Sequence, residues 1–203
     1  MHLRPVGPSA LLAEVTHAAE ALALAAWARA VGVTVTDVVP AAATVLFDGL
    51  TSAGADALRE RLAAWAPAEP AGGAAPEGLL VEVPVDYDGP DLAFVAERWG
   101  TDVDDVIARH TATEFVSAFC GFAPGFAYLT GLPDELAVPR LDSPRARVPA
   151  GAVALAGPWC GVYPTASPGG WRILGRTEAT LWDASRADPA LLAPGTRVRF
   201  VRA

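Results

Sequence analysis

Lysine is absent from this sequence, in which all fifteen basic residues are arginine. Three kinds of mechanism are therefore excluded, because each needs a lysine side chain: phosphate binding by a Walker A loop, Schiff-base catalysis, and phosphoryl transfer by a protein kinase. A phosphate or carboxylate ligand must instead be held by arginine side chains, backbone N–H groups or a metal ion.

Cysteine is scarce, and Cys120 and Cys160 have neither the spacing of metal ligands nor that of a disulfide framework. Two such thiols are typical of small buried side chains in a reducing compartment, so we expect a cytoplasmic protein. The N-terminal residues lack the basic region and cleavage site of a signal peptide, and no apolar run has the length of a membrane span.

The motifs G-x-S-x-G, H-E-x-x-H, C-x-x-C and G-x-G-x-x-G are also missing. What is present is a composition of 52% hydrophobic and 19% charged residues, with a net charge of −8 over 203 residues. This composition is typical of a globular protein of one large or two small domains. It makes nucleic acids and anionic membranes poor partners, and it leaves metal use open.

The first 85 residues have the pattern of a β-α-β-β-α-β unit, the split-βαβ order of ferredoxin-like folds. The strands are predicted at residues 11–15, 34–40, 44–49 and 78–87, and the helices at residues 16–31 and 54–65. Thr51 or Ser52 is the expected cap of the second helix. We expect the segment "PAEPAGGAAPEG", residues 67–78, to be a mobile loop where two domains join.

The second part of the chain is predicted to begin with two short helices, at residues 91–99 and 102–113, the second capped by Thr101. From residue 114 onward helical signals stop, apart from one turn near residues 181–192. Short β runs ("FVSAFC", "AVALAG", "GVYP", "WRILG", "RVRFV") alternate with proline and glycine turns, which is typical of a small barrel or sandwich. We therefore expect an α+β protein with domains at residues 1–80 and 81–203.

Two proline-glycine pairs predict tight turns that open the backbone to a ligand. In Pro124-Gly125 the proline fixes φ near −65° and the glycine accepts a positive φ, as in a type II turn, and Pro168-Gly169-Gly170 repeats this arrangement. Backbone N–H groups at such turns can form an anion site without lysine. The alternative is that these glycines only join strands.

Three arginines lie among prolines, where the chain is expected to be extended. Arg145 and Arg147 would then project to the same side at a spacing of roughly 6.6 Å, close enough to clamp one carboxylate or phosphate. Arg140 could join them only if the loop folds back. Solvated surface arginines are the alternative.

His110 is the histidine nearest to the glycine-aromatic segment, at the end of a predicted helix where the helix dipole would favour its charged form. It could serve in catalysis or be a buried, hydrogen-bonded side chain. Tyr128, Tyr163 and Trp171 flank the predicted turns, and they could line a ligand pocket or pack in the core.

Three segments together, "GFAPGFAYLTGLP", "PRLDSPRARVPAGAVALAG" and "GVYPTASPGGWRILGRT", resemble the signature of the allophanate hydrolase subunit 1 family. The resemblance covers roughly residues 80–200. The family includes the B component of the bacterial three-component 5-oxoprolinase and the inhibitor of the sporulation kinase. It implies a ferredoxin-like N-terminal domain followed by a cyclophilin-like β-barrel domain.

The resemblance also implies partners, a cofactor and a reaction. The B component would form a heterodimer or heterotetramer with a C subunit and work with a separate A subunit. Together they would open 5-oxo-L-proline to L-glutamate at the expense of ATP, whose site would be shared with the partner. A regulatory protein that inhibits a sensor histidine kinase is the alternative, and a prolyl isomerase, suggested by the barrel alone, is the third hypothesis.

The site implied for this chain has two catalytic candidates, His110 and Arg145, and no metal ligands. The residues expected to bind substrate come from the two turns, the aromatic side chains and the remaining arginines: Pro124, Gly125, Phe126, Tyr128, Arg140, Arg147, Tyr163, Pro168, Gly169, Gly170 and Trp171. The segment "GPWCG" departs from the family pattern, because Trp159 and Cys160 replace two polar residues. This departure points to another ligand or to weak activity.

Overall fold

The computed structural model describes residues 1–67 and 79–203 of the chain. Contacts between residues divide the chain into two units, Met1–Pro76 and Glu77–Ala203, and the predicted domain boundary lies between residues 80 and 81. The predicted loop at residues 67–78 lies, apart from its first residue, outside the described residues. None of the described helices is long and apolar enough to cross a membrane.

The first unit consists of one antiparallel four-stranded sheet and two helices. In chain order its elements are β1 (His2–Val6), β2 (Ala10–Glu14), α1 (Ala18–Ala30), β3 (Asp37–Pro40), β4 (Thr44–Asp48) and α2 (Ser52–Ala63). The strand order is β1-β2-β4-β3. Alternate side chains of the central strands, Leu11 and Ala13 on β2 and Val45 and Phe47 on β4, are buried in one core. Thr51 caps α2, as predicted, by accepting a hydrogen bond from the Gly54 N–H.

The predicted β-α-β-β-α-β order is wrong for this unit, which has the order β-β-α-β-β-α. The edge next to β2 is taken by β1, which the sequence did not predict because it is short, exposed and interrupted by Pro5. The strand that follows α2, β5 (Leu80–Val85), belongs to the second unit. Val83 and Val85 are fully buried in the core of that unit, and this burial explains why β5 joins its sheet.

The second unit is built on a seven-stranded mixed sheet with two helices. After β5 its elements are α3 (Leu92–Trp99), α4 (Val103–Ala112), β6 (Glu114–Cys120), β7 (Ala127–Thr130), a 3₁₀ turn (Asp134–Leu136), β8 (Arg145–Val148), β9 (Ala152–Ala156), β10 (Trp159–Val162), β11 (Ser167–Gly169), β12 (Arg172–Arg176) and β13 (Arg197–Arg202). The strand order is β12-β9-β10-β7-β6-β13-β5, and β8 and β11 form a separate two-stranded ribbon. Among the described strands of this sheet, only β5 and β13 pair in parallel.

The two edge strands of this sheet meet, so the sheet is a nearly closed barrel. Asp86, which follows β5, and Arg176, at the end of β12, exchange two backbone hydrogen bonds of 2.9 Å. Further along, the Gly89 N–H donates to the Leu174 carbonyl. Closure satisfies edge groups that an open sheet would leave unpaired.

The helices α3 and α4 pack on the barrel through apolar faces, with Val95, Val106 and Ile107 buried in its core. Asp102 caps α4 by accepting from the Asp105 N–H, so the prediction of Thr101 as the cap is wrong. Asp102 is the better cap because its backbone is extended and its carboxylate can turn back to the first turn of the helix. The short strands β7 and β11 were not predicted, since they lie among prolines and glycines, whereas β8 was predicted as extended chain without a pairing partner.

Candidate functional site

The second unit contains a cleft of about 310 Å³, here called the aromatic cleft. Five aromatic side chains, one arginine and several proline and glycine residues line it: Phe122, Phe126, Tyr128, Tyr163, Trp171, Arg140, Pro144, Pro168, Gly169 and Gly170. Eight of these residues are among those expected from the sequence to bind substrate: Phe126, Tyr128, Arg140, Tyr163, Pro168, Gly169, Gly170 and Trp171. The fold thus brings together residues from three separate sequence segments.

Phe126 is the centre of the cleft wall. Its ring lies edge-to-face against Tyr128, Tyr163 and Trp171, with centroids 5.1, 5.5 and 5.4 Å away. This packing is the favoured geometry for aromatic pairs and fixes the positions of the rings. Tyr128 lies on β7, and Tyr163 and Trp171 lie just outside β10 and β12, so the barrel strands position the wall.

The predicted type II turn at Pro124-Gly125 is confirmed. Gly125 has a φ of 86°, and the Phe126 N–H donates to the Ala123 carbonyl at 2.9 Å. A Cβ at Gly125 would lie 2.9 Å from the Cβ of Trp182, so both the backbone and the neighbouring side chain require glycine. The turn delivers Phe126 into the cleft.

The second predicted turn is wrong, because Ser167–Gly169 is a strand, β11, paired with β8. Neither Gly169 nor Gly170 is among the residues with positive φ. Glycine at position 169 serves close approach instead, since a Cβ there would overlap the hydroxyl of Tyr163. The residues around Pro168 therefore form one wall of the cleft as extended backbone.

Arg140 carries the positive charge of the cleft. It is exposed, and its guanidinium carbon lies 5.8 Å from the centroid of the Trp171 ring, within the range of a cation–π contact. Within residues 1–67 and 79–203 it forms no salt bridge. Its charge is therefore available to a ligand anion.

The described residues that line the aromatic cleft include no histidine and no carboxylate. Burial raises the pKa of Tyr163, so its hydroxyl is neutral at neutral pH. This lining can bind a small molecule with an apolar body and one negative charge.

Arg145 lies outside the cleft lining, in a salt bridge with Asp91. Its Nη2 is 2.9 and 2.8 Å from the two carboxylate oxygens of Asp91, which is 5% exposed. The same carboxylate accepts from the Ile173 N–H at 2.7 Å, and Arg145 also donates to the Trp171 carbonyl at 3.2 Å. The pair therefore holds the chain on both sides of Arg172, next to the cleft.

Arg145 and Arg147 do lie on one extended strand, β8, as expected. Together with Arg176 they line a hollow of about 330 Å³ whose lining also includes Asp88 and Pro149. Pro124 lines a wider hollow, of about 690 Å³, which contains Tyr163 and Trp182. The structure thus separates Arg145, Arg147 and Pro124 from the aromatic cleft lining.

His110 lies on α4 and is fully buried against the barrel. Its Nδ1 is 2.7 Å from the Tyr87 hydroxyl, its Nε2 is 3.4 Å from Cys160 Sγ, and its ring stacks on Phe200 at 4.6 Å. Burial lowers the pKa of His110 to about 3. The prediction that the helix dipole favours its charged form is therefore wrong, because desolvation outweighs the dipole.

The two residues that depart from the family pattern have packing roles. Cys160 is fully buried against His110, and burial raises the pKa of its thiol. Trp159 lies edge-to-face against Tyr128 and Phe119, with centroids 6.0 and 5.4 Å away, so it supports the cleft wall from behind the lining. Cys120 and Cys160 are both free thiols.

Sequence reasoning missed three residues that shape the site: Phe122, Pro144 and Asp91. Phe122 and Pro144 lie in the segments "GFAPGF" and "DSPRAR", which carry the family resemblance, so both could have been included in the predicted site. Asp91 gave none, because its partner Arg145 is distant in sequence. Among the residues that the structure describes, no group of three or more histidine, cysteine, aspartate or glutamate side chains could hold a metal ion.

Comparisons with known proteins place this chain among carboxyltransferase-type domains. Residues 1–192 match the family "carboxyltransferase domain, subdomain C and D". The chain is 45% identical to the B component of 5-oxoprolinase from Escherichia coli O157:H7 over 161 residues, which are 78% of this chain and 72% of that protein. It is 44% identical to the B component of 5-oxoprolinase from Bacillus subtilis (strain 168) over 126 residues, 61% of this chain and 52% of that protein.

A solved structure also matches over the whole chain. The crystal structure of TTHA0988 has a TM-score of 0.75 and 36% sequence identity, and the match covers 100% of this chain and 40% of that one. The chain thus spans about half the length of the Bacillus subtilis relative and less than half of TTHA0988.

Proposed function

This chain belongs to the family of carboxyltransferase domains, subdomains C and D, and from its relatives within that family we propose that it is the B component of an ATP-dependent 5-oxoprolinase. The reaction opens the lactam of 5-oxo-L-proline to L-glutamate. The observation that carries the proposal is the 45% identity to the Escherichia coli B component over 72% of that protein. No observation favours the alternative role as an inhibitor of a sensor kinase.

We assign the first unit to a ferredoxin-like domain in which β1 replaces the expected last strand. The last strand of a split-βαβ unit lies beside the first, and β1 lies beside β2 in this way. The nearly closed sheet of the second unit corresponds to the cyclophilin-like barrel.

Free thiols at Cys120 and Cys160 support a cytoplasmic location.

The aromatic cleft is the substrate site in this proposal. 5-Oxo-L-proline is a small ring with one carboxylate and a neutral amide. Arg140 would bind the carboxylate through charge-assisted hydrogen bonds, while Trp171 and Phe126 would contact the ring. Both parts of the ligand thus find a matching group in one cleft.

The cleft supplies groups that bind the substrate, and in this proposal the companion subunits supply the acid–base chemistry. A lactam carbonyl is a poor electrophile. Transfer of a phosphoryl group from ATP to its oxygen, with release of ADP, would activate the carbon for attack by water, and the C–N bond would then break with release of phosphate. The described lining contains no histidine and no carboxylate, which are the groups that most often transfer protons near pH 7. We therefore place the acid–base groups, and part of the nucleotide site, on the C and A subunits.

The two catalytic candidates receive different roles. His110 is buried and neutral, and we assign it to packing between α4 and the barrel. Arg145 is a positioning residue that acts on Trp171 through its backbone carbonyl. Arg147 is exposed on the same strand, and we propose that it faces phosphoryl oxygens at the contact with the C subunit.

Reconstitution tests the proposal. The full chain would be assayed alone, with the C subunit, and with both the C and A subunits, for ATP hydrolysis that depends on 5-oxo-L-proline and for L-glutamate. We expect glutamate only in the complete mixture. Absence of glutamate there, with all three proteins folded and associated, would overturn the assignment.

A further inference from the structure

Phe122 has an unusual backbone conformation at the aromatic cleft. Its φ is 67°, which among the residues described makes it the only non-glycine residue with a positive φ. The Ala123 N–H donates to the Gly121 carbonyl at 2.8 Å, so Phe122 is the central residue of a three-residue γ-turn. A γ-turn with positive φ is rare and strained, and a bulky side chain makes it more so.

Core packing does not account for this strain. Phe122 is 61% exposed. Its ring touches the cleft wall edge-to-face, with centroids 5.3 Å from Phe126 and 6.1 Å from Tyr163, and the remaining surface faces solvent. Residues with a strained backbone conformation cluster at ligand and active sites, where the surrounding structure holds them.

We propose that Phe122 is a binding residue that covers the lactam ring of the substrate and makes the cleft select the substrate over the product. This inference rests on the proposed function. 5-Oxo-L-proline carries one charge, which Arg140 can bind, and its ring is otherwise neutral. L-Glutamate carries two carboxylates and an ammonium group. Placing the additional charges against Phe122 and Trp171 would remove their water without giving them partners, because Arg140 is the only charged residue of the described lining.

A preference for the substrate over the product would help the enzyme to release L-glutamate after ring opening. Opening the ring converts a ligand that fits the apolar rim into one that does not, so the product leaves the cleft. The γ-turn supplies the geometry, since it projects the Phe122 side chain over the cleft from a segment anchored by the Gly121 N–H bond to the Phe126 carbonyl.

Two variants distinguish the effect of losing the Phe122 ring from the effect of relieving its backbone strain. Phe122→Ala removes the ring and retains a side chain at positive φ, whereas Phe122→Gly removes the ring and relieves the strain. We expect both variants, in the complete three-component complex, to raise the KM for 5-oxo-L-proline about tenfold. Product inhibition by L-glutamate should change by less than about threefold, so the preference for substrate falls. Phe122→Gly should be the more thermostable of the two.

The outcomes distinguish this inference from the function on which it rests. Wild-type complex without 5-oxoproline-dependent turnover would overturn both. Wild-type turnover combined with an unchanged KM in both variants would overturn the role of Phe122 alone. If Phe122→Gly unfolded at a lower temperature than Phe122→Ala, the turn would not be strained and the geometric argument would fail.

Discussion

The guanidinium carbon of Arg140 lies 5.8 Å from the centroid of the Trp171 ring, and no salt bridge to the described residues holds it there. A cation over an aromatic face, free of a carboxylate partner, is prepared to bind an anion beside an apolar surface.

Replacing Arg140 with alanine should therefore weaken substrate binding. A charge-assisted hydrogen bond contributes about 1.5–3 kcal/mol, so the KM for 5-oxo-L-proline should rise about ten- to a hundredfold. Arg140→Lys should give an intermediate value, because it keeps the charge and loses the planar fork. Steady-state kinetics of the complex measure this, with the exposed Arg186→Ala as control. Equal KM values for Arg140→Ala and the control would refute the role.

Asp91 and Arg145 should stabilise the barrel unit. Asp91→Asn removes the nearly buried negative charge that Arg145 and Arg172 both face, and we expect a loss of about 2–4 kcal/mol in the free energy of unfolding. Asp88→Asn, in an exposed pair with Arg176, should lose less than about 1 kcal/mol. Urea unfolding followed by tryptophan fluorescence compares the two. Similar losses of unfolding free energy in Asp91→Asn and Asp88→Asn would show that burial of the pair does not increase its contribution to stability.

His110 should make stability depend on pH. Burial lowers the pKa of His110 to about 3, whereas the imidazole of the unfolded chain titrates near 6.5. Between these values the unfolded chain binds one more proton than the folded chain, so the stability contributed above pH 6.5 is lost as the pH falls toward 3. The slope is up to about 1.4 kcal/mol per pH unit.

His110→Gln should remove this contribution, because glutamine does not titrate. The free energy of unfolding of wild type and variant would be measured between about pH 5 and about pH 7. The wild type should lose more stability on acidification than the variant. Parallel pH profiles would mean that His110 takes up a proton in the folded protein.

Gly125 should tolerate alanine less well than Gly195. Both residues have positive φ, 86° and 91°, but a Cβ at Gly125 would lie 2.9 Å from Trp182, whereas a Cβ at Gly195 has no neighbour within 4 Å among the described residues. Gly195→Ala should cost about 1 kcal/mol from the backbone alone, and Gly125→Ala clearly more. Thermal unfolding of the two variants measures the difference. Equal melting temperatures would mean that Trp182 moves aside freely.

The pattern of apolar residues predicted most of the regular structure. The helices α1 to α4 and the strands β2 to β6 lie close to their predicted positions, because each has the periodicity of a buried face. The type II turn at Pro124-Gly125 was predictable for the same local reason, since proline and glycine limit φ directly.

Pairing between strands could not be predicted in this way. The apolar alternation of β5 is equally suited to either sheet, and only the burial of Val83 and Val85 beside β13 assigns it to the second unit. The turn expected at Pro168-Gly169 became a strand because β8 lies beside it. Both outcomes depend on residues far away in the chain.

The sequence by itself determined the family resemblance, the α+β composition and most of the residues that line the aromatic cleft, because these follow from local residue types and their spacing. Only the tertiary structure decided which arginine charge faces the aromatic cleft. Asp91, from a distant segment, pairs with both Arg145 and Arg172, and Arg140 is the one charged residue of the described cleft lining. The tertiary structure also decided that His110 is buried and uncharged. Desolvation depends on the residues that pack around a group, and these cannot be predicted from the local sequence.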